Sequence, residues 1–113
     1  MKARRRVELK IGEEQARKLR THINRKGISQ SLYVGLIISK YVYDSNVRLK
    51  CRKHLWINQQ ELIGDKKHNM VFTLPTELRN EAKEIATNLG IKFTTLVLKL
   101  IMIEFCGKVD FKI

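Results

Sequence analysis

Between Arg6 and Ile11 the chain alternates: Val7, Leu9 and Ile11 fall on one side, and Arg6, Glu8 and Lys10 on the other. A period of two is the mark of a strand with one buried face. The same alternation returns at 69–74, where Met70, Phe72 and Leu74 oppose Asn69, Val71 and Thr73. Strands are therefore predicted over Val7–Ile11 and Met70–Leu74. A lone strand leaves a row of backbone donors and acceptors unpaired, and no obvious strand flanks the second segment, so its partner must lie far away in the chain.

Each strand is followed by a segment of helical period. Pro75 suits the start of a helix, where its missing N–H costs nothing, and Thr76, Glu77 and Glu81 suit the positive end of that helix. Leu78, Ala82, Ile85 and Leu89 then trace its apolar face, and Gly90 supplies the left-handed residue that commonly ends a helix. The corresponding helix of the first half, about Glu13 to Lys26, is less regular. Ala16, Leu19 and Ile23 are apolar, while Gln15 and His22 stand where Leu78 and Ile85 stand in the second half. His22 is expected to be a partly buried helix residue with a local hydrogen bond.

A second helix follows each glycine. Ser29 or Ser31 can cap one that runs to about Tyr43, with Val34, Ile37, Ile38 and Tyr41 facing the core. Its counterpart, Thr94 to Phe105, is apolar nearly all round apart from Lys99 and Glu104. Such a helix is buried at the centre of a fold, or turns a spare face to the linker or to another chain.

These matches share one offset. GISQSLYVGLII and GIKFTTLVLKLI begin at Gly27 and Gly90, 63 residues apart, and the same step lays Val7–Ile11 over Met70–Leu74 and Gly12 over Pro75. The chain thus divides into a first unit at 1–43, a linker at 44–68 and a second unit at 69–113, the units expected to form one folded domain. A short helix is expected in the linker around Trp56 to Leu62. The 24 residues from Asp44 to Lys67 can span about 79 Å when extended, ample to return a second strand beside the first.

Charge adds a direction to this plan. The formal net charge is +12, and residues 1–43 hold 11 Lys and Arg against 3 Asp and Glu. An excess of this size favours a polyanionic partner. Only two cysteines are present, Cys51 and Cys106, too few for a disulfide scaffold. Cys51 and His54 have a Cys-x-x-His spacing, yet no second close pair exists to complete a zinc site, so no metal or other cofactor is expected. No convergent set of catalytic residues and no phosphate-binding glycine loop is present, which argues against an enzyme. The start MKARRRVELK lacks the apolar core of a signal peptide, and the run Leu96–Ile103 is far too short to span a bilayer. A cytoplasmic protein without a membrane partner is expected.

VELKIGEEQ with GISQS, and VFTLPTEL with the equal steps from Gly12 to Gly27 and from Pro75 to Gly90, resemble the ribbon-helix-helix family of DNA-binding proteins, the class of the methionine and Arc repressors. The resemblance covers 4–43 and 69–106. Two copies in one chain are similar to the single-chain forms among TraY-type plasmid transfer proteins and some viral or plasmid regulators. It implies a mostly α fold with a two-stranded antiparallel ribbon, the two units forming a pseudo-two-fold intramolecular dimer. By that resemblance Val7–Ile11 pairs with Val71–Leu74, and the ribbon enters the major groove of double-stranded DNA.

The residues implied as base readers are Arg6, Glu8, Lys10, Asn69, Val71 and Thr73. Arg6 and Lys10 can donate to guanine, Asn69 and Thr73 can exchange hydrogen bonds with adenine or thymine edges, and Val71 can meet a thymine methyl. Glu8 either accepts from cytosine or holds Arg6 and Lys10 in place. Lys2, Arg4 and Arg5 form a basic arm for phosphates. The family also clamps phosphates with backbone amides at the start of each second helix, which here are Ser29, Gln30 and Ser31, and Lys92, Phe93 and Thr94. Gly12 and Lys92 depart from the proline-like helix start and the small cap expected at their positions. The expected role is a repressor of a mobile element or virus, with a relaxosome or partition accessory protein, or an antitoxin-like interaction module, as the alternative. In the last case the Thr94–Phe105 helix or the Trp56 region would hold a protein partner or a second copy. RNA is a weaker candidate because few aromatics are placed to stack on bases.

Overall fold

The computed structural model describes residues 3–56, 63–65 and 67–113. Its elements are β1 (Arg4–Ile11), α1 (Glu13–Arg25), α2 (Gln30–Tyr43), α3 (Ser45–Arg52), β2 (His68–Pro75), α4 (Thr76–Asn88) and α5 (Phe93–Phe105). The described chain is mostly helical, with one two-stranded antiparallel sheet.

The two alternating segments find each other. β1 pairs with β2 inside one chain, Arg6 opposite Thr73, Glu8 opposite Val71 and Lys10 opposite Asn69. Val7, Leu9, Ile11, Met70, Phe72 and Leu74 are all buried on the inner face. Each strand is longer than its apolar run requires. Arg4 extends β1 because its guanidinium donates to the hydroxyl and the carbonyl of Thr73, both at 3.0 Å, and the Thr76 amide donates to the Ala3 carbonyl at 3.1 Å.

The repeat is visible in the element bounds. α1 and α4 begin at residues 13 and 76 and end at 25 and 88, while α2 and α5 begin at 30 and 93. Gly27 and Gly90 both turn the chain with a left-handed backbone, φ +69° and +75°, where a Cβ would be strained. The helices interleave: α1 lies against β2, and α4 lies against β1 as well as β2. Both halves feed one hydrophobic core, in which Tyr33, Val34, Ile37 and Ile38 of α2 and Leu96, Leu100, Ile101 and Ile103 of α5 are fully enclosed. Of the two placements open to the apolar helix, α5 takes the central one, burying seven residues from Leu96 to Ile103 within this chain.

Two readings need correction. The buried face of α4 is Leu78, Ala82 and Ala86, with Ile85 half-buried; Leu89, the C-cap, is exposed although its amide still donates to the Ile85 carbonyl. The linker also holds α3, which the residue pattern did not announce, while the helix expected around Trp56 to Leu62 lies outside the described residues except for Trp56 itself. Asp44 starts α3 by accepting from the amides of Asn46 and Val47, and Val47 and Cys51 anchor it. Gly12, which departs from the proline-like helix start, sits where the linker comes close. Its Cα region lies against Gly64 of the linker, a Cβ on Gly12 falling 3.2 Å from the Gly64 Cα, and Asp65 then caps α1 by accepting from the Glu13 amide at 3.2 Å. The Lys67 amide, and secondarily that of Glu13, hold the Asp65 carboxyl below the usual carboxylate range.

The second correction concerns His22, whose bond is not local. Its Nε2 lies 2.7 Å from Oε1 of Glu104 on α5, and the Tyr33 hydroxyl donates to the same oxygen at 2.5 Å. Lys26 Nζ stands 3.5 Å from the other carboxylate oxygen. Edge contacts of the imidazole with Tyr33 and Phe105 complete the cluster. One carboxylate of the second unit thereby ties together three groups of the first.

The core also sets an alkaline limit. Cys51 is fully buried beneath α3, and burial pushes its thiol up to about 11. A group whose folded pKa is raised stabilises fully below its unfolded pKa, and that contribution is lost as pH rises through the folded value, because the unfolded chain releases the proton first. Between about pH 9 and 11 Cys51 alone should therefore lower stability by about 1.4 kcal/mol per pH unit. Burial raises the phenols of Tyr33 and Tyr41 as well, which extends the same trend upward. Urea denaturation at about pH 8 and about pH 10.5 should show a smaller loss of stability for Cys51→Ala than for the parent chain.

Candidate nucleic-acid interface

Because side chains alternate along a strand, burying one face of the ribbon places the rest on a single opposite face. That face carries Arg4, Arg6, Glu8 and Lys10 from β1 and Asn69, Val71 and Thr73 from β2. All are exposed except the half-buried Thr73, and Val71 is only 36% exposed. Arg6 Nη2 lies 4.0 Å from Glu8 Oε2, a loose and largely solvated pair that leaves both side chains available. The chemistry is lopsided: every formal charge on this face belongs to β1, and β2 offers an amide, an isopropyl group and a hydroxyl.

The structure brings together all six ribbon residues expected from the sequence. It also moves Arg4 out of the proposed arm and into the ribbon, on the same face, its guanidinium laid across Thr73. Arg5 stands opposite Leu74 and so belongs to the inner register, yet at the ribbon's end it remains exposed. Lys2 lies outside the described residues.

The start of α2 is fastened to the outer edge of β2. Ser31 Oγ accepts from the Thr73 amide at 3.1 Å, and Gln30 Nε2 donates to the Val71 carbonyl at 2.7 Å. Two edge groups that pairing with β1 leaves over are thereby satisfied. Ser29, not Ser31, is the cap, accepting from the Leu32 amide at 3.1 Å. The side chains of 29–31 are thus engaged within the fold, while the backbone amides of Gln30 and Ser31 sit in the first turn, where the helix itself supplies no acceptor.

The start of α5 is built differently. Lys92 occupies the cap position without a side-chain capping bond, and Thr94 is exposed. Phe93 is half-buried beneath Arg79 of α4, whose guanidinium carbon lies 5.6 Å from the ring centre. Arg79 thereby joins Lys92 beside the first-turn amides of 93 and 94, where helix dipole and cationic side chains together favour an anion. Sequence reading missed Arg79 because its neighbour is reached only when α4 folds back over α5. The missed place of Arg4 had a signal, since Arg4 continues the period of Arg6, Glu8 and Lys10.

Among the described residues, no group of three or more His, Cys, Asp or Glu is arranged to hold a metal ion. Cys51 is buried and Cys106 is exposed. No single described helix is long and apolar enough to cross a membrane. Comparison of the chain with protein-family models, with curated proteins and with solved structures finds no match.

Proposed function

We propose that this chain is a sequence-specific double-stranded DNA-binding protein that inserts the β1–β2 ribbon into the major groove and acts as a transcriptional repressor of a mobile element or virus. The observation that carries the reading is the ribbon itself: one face buried in the core, the other a continuous row of cationic and hydrogen-bonding side chains. A two-stranded ribbon fits the major groove, and Arg, Lys, Asn and Thr are the side chains that read base edges there. In this reading the two units form a tandem ribbon-helix-helix pair related by a pseudo-two-fold axis. The first-turn amides of α2, beside β2, and those of α5 take phosphates, Arg79 and Lys92 reinforcing the second.

The lopsided charge has a consequence for the operator. With Arg4, Arg6, Glu8 and Lys10 on one strand and Asn69, Val71 and Thr73 on the other, the two halves of the site are read by different chemistry. Selection from a random duplex library should return a site with unequal halves, the guanine-rich positions falling under β1. A perfectly two-fold symmetric consensus would count against an intrachain ribbon as the reader. Footprinting of the region around the protein's own gene at two salt concentrations separates this site from the non-specific attraction of a +12 chain.

A further inference from the structure

The linker helix α3 presents a second surface that the DNA reading leaves unused. Val47, Cys51 and Leu55 form its inward stripe, and Arg48 seals it to the end of α2 by donating to the carbonyls of Tyr41 and Val42. The opposite stripe is Leu49, Arg52, Lys53 and Trp56, at the spacing of one helical face. His54 and Leu55 carry the helical course past Arg52 through bonds to Cys51 and Arg52. Leu49 is 63% exposed and Trp56 80%, and Leu89 at the end of α4 adds a third exposed apolar side chain. Leu89 lines a cavity of about 230 Å3 with Leu55 and Ile85, together with Arg48 and Arg52.

This surface is cationic as well as apolar. From Ser45 to Gln60 there are four Lys and Arg and no Asp or Glu. Arg48 is engaged by the carbonyls of α2, and among the described residues no ion pair involves Lys50, Arg52 or Lys53. The surface also points away from the candidate phosphate site. Arg79, which covers Phe93, and Asn88, which faces α3, are nine residues apart on α4, and nine residues at 3.6 per turn bring them to opposite sides of that helix.

Scattered exposed leucines mean little, but here Leu49 and Trp56 share one face of α3 with Arg52 and Lys53, and Arg52 also lines, with Leu89, the cavity at the edge of that face. A phosphodiester backbone would satisfy the cations and leave Leu49 and Leu89 in water. We propose that α3 docks an acidic amphipathic helix of a partner protein, its carboxylates pairing with Lys50, Arg52 and Lys53 and its apolar stripe covering Leu49, Leu89 and Trp56. The inference does not depend on the DNA reading; if both hold, the chain links a DNA site to a second protein through separate faces.

Trp56 is the one tryptophan of the chain, so its emission reports directly on this surface. The full chain is titrated with a synthetic peptide of about 18 residues, long enough to form helix, carrying leucines at i, i+3, i+4 and i+7 and glutamates elsewhere. A blue shift of Trp56 emission is expected, with roughly ten-fold weaker binding for Leu49→Ala and for Arg52→Ser combined with Lys53→Ser. Arg6→Ala with Lys10→Ala should leave the titration unchanged. The absence of a shift overturns the proposal. So does equal binding of a peptide with serines for leucines, which marks mere attraction of a polyanion. A random-sequence duplex that shifts Trp56 and displaces the peptide assigns the face to nucleic acid instead.

Discussion

Replacing Arg6 and Lys10 together with alanine is expected to weaken binding to the selected duplex by roughly 2–6 kcal/mol, while binding to random DNA falls far less. Each residue is an exposed, long cationic donor on the outer face of β1, opposite Thr73 and Asn69 respectively. Good bidentate contacts to a base are worth about 1–3 kcal/mol each in discrimination, and two sites three residues apart or more on a ribbon contribute nearly independently. The fold should survive. Neither side chain contributes to the core, and the single ion pair between Arg6 and Glu8 is too exposed to matter for stability. Far-UV circular dichroism and the urea midpoint should therefore stay near the parent values. Electrophoretic mobility shift with the selected and a scrambled duplex checks the affinity, and unchanged specific binding would sink the ribbon as the reader. Arg4→Ala should give a smaller loss of the same kind, since its guanidinium is already bonded to Thr73.

Period and offset make the ribbon and four helices legible in the sequence, because burial on one face of a strand or helix writes itself into residue spacing. The six outward ribbon positions followed from the same rule. What escaped were features decided by contacts between distant parts of the chain. α3 has only eight residues and two buried anchors, Val47 and Cys51, too short a stripe to stand out from a basic linker. Leu89 fits the helical period and its amide still donates to the Ile85 carbonyl, yet as the C-cap at the end of α4 it finds nothing to cover it. The departure at Gly12 is explained only by the linker, where Gly64 comes close to it and Asp65 accepts from the Glu13 amide. Nothing near His22 in sequence announces Glu104, 82 residues away. The cationic neighbour of the second helix start, Arg79, was hidden for the same reason.

Glu104 carries the largest stability prediction. Its carboxylate serves Tyr33, His22 and Lys26 at once, with a side chain only 11% exposed. Glu104→Leu removes the acceptor of a Tyr33 hydroxyl that is wholly enclosed, and an unpaired buried hydroxyl costs about 1–3 kcal/mol. His22 and Lys26, at 27% and 22% side-chain exposure, reach water and lose less. The total expected loss is about 2–4 kcal/mol by urea denaturation, a large part of the stability of a small domain. Two further variants separate the causes. Tyr33→Phe in the Glu104→Leu background removes the stranded hydroxyl and should restore about 1 kcal/mol or more, whereas the same change in the parent chain should destabilise. Glu104→Gln keeps an acceptor for Tyr33 but no charge for Lys26, and should fall between the parent and Glu104→Leu. Additive losses for Tyr33→Phe and Glu104→Leu would mean that the carboxylate does not act through Tyr33. Coupling of the expected sign would show that α5 of the second unit is tied to α1 and α2 of the first through one buried oxygen, and that the two halves unfold together because each completes the other's polar core.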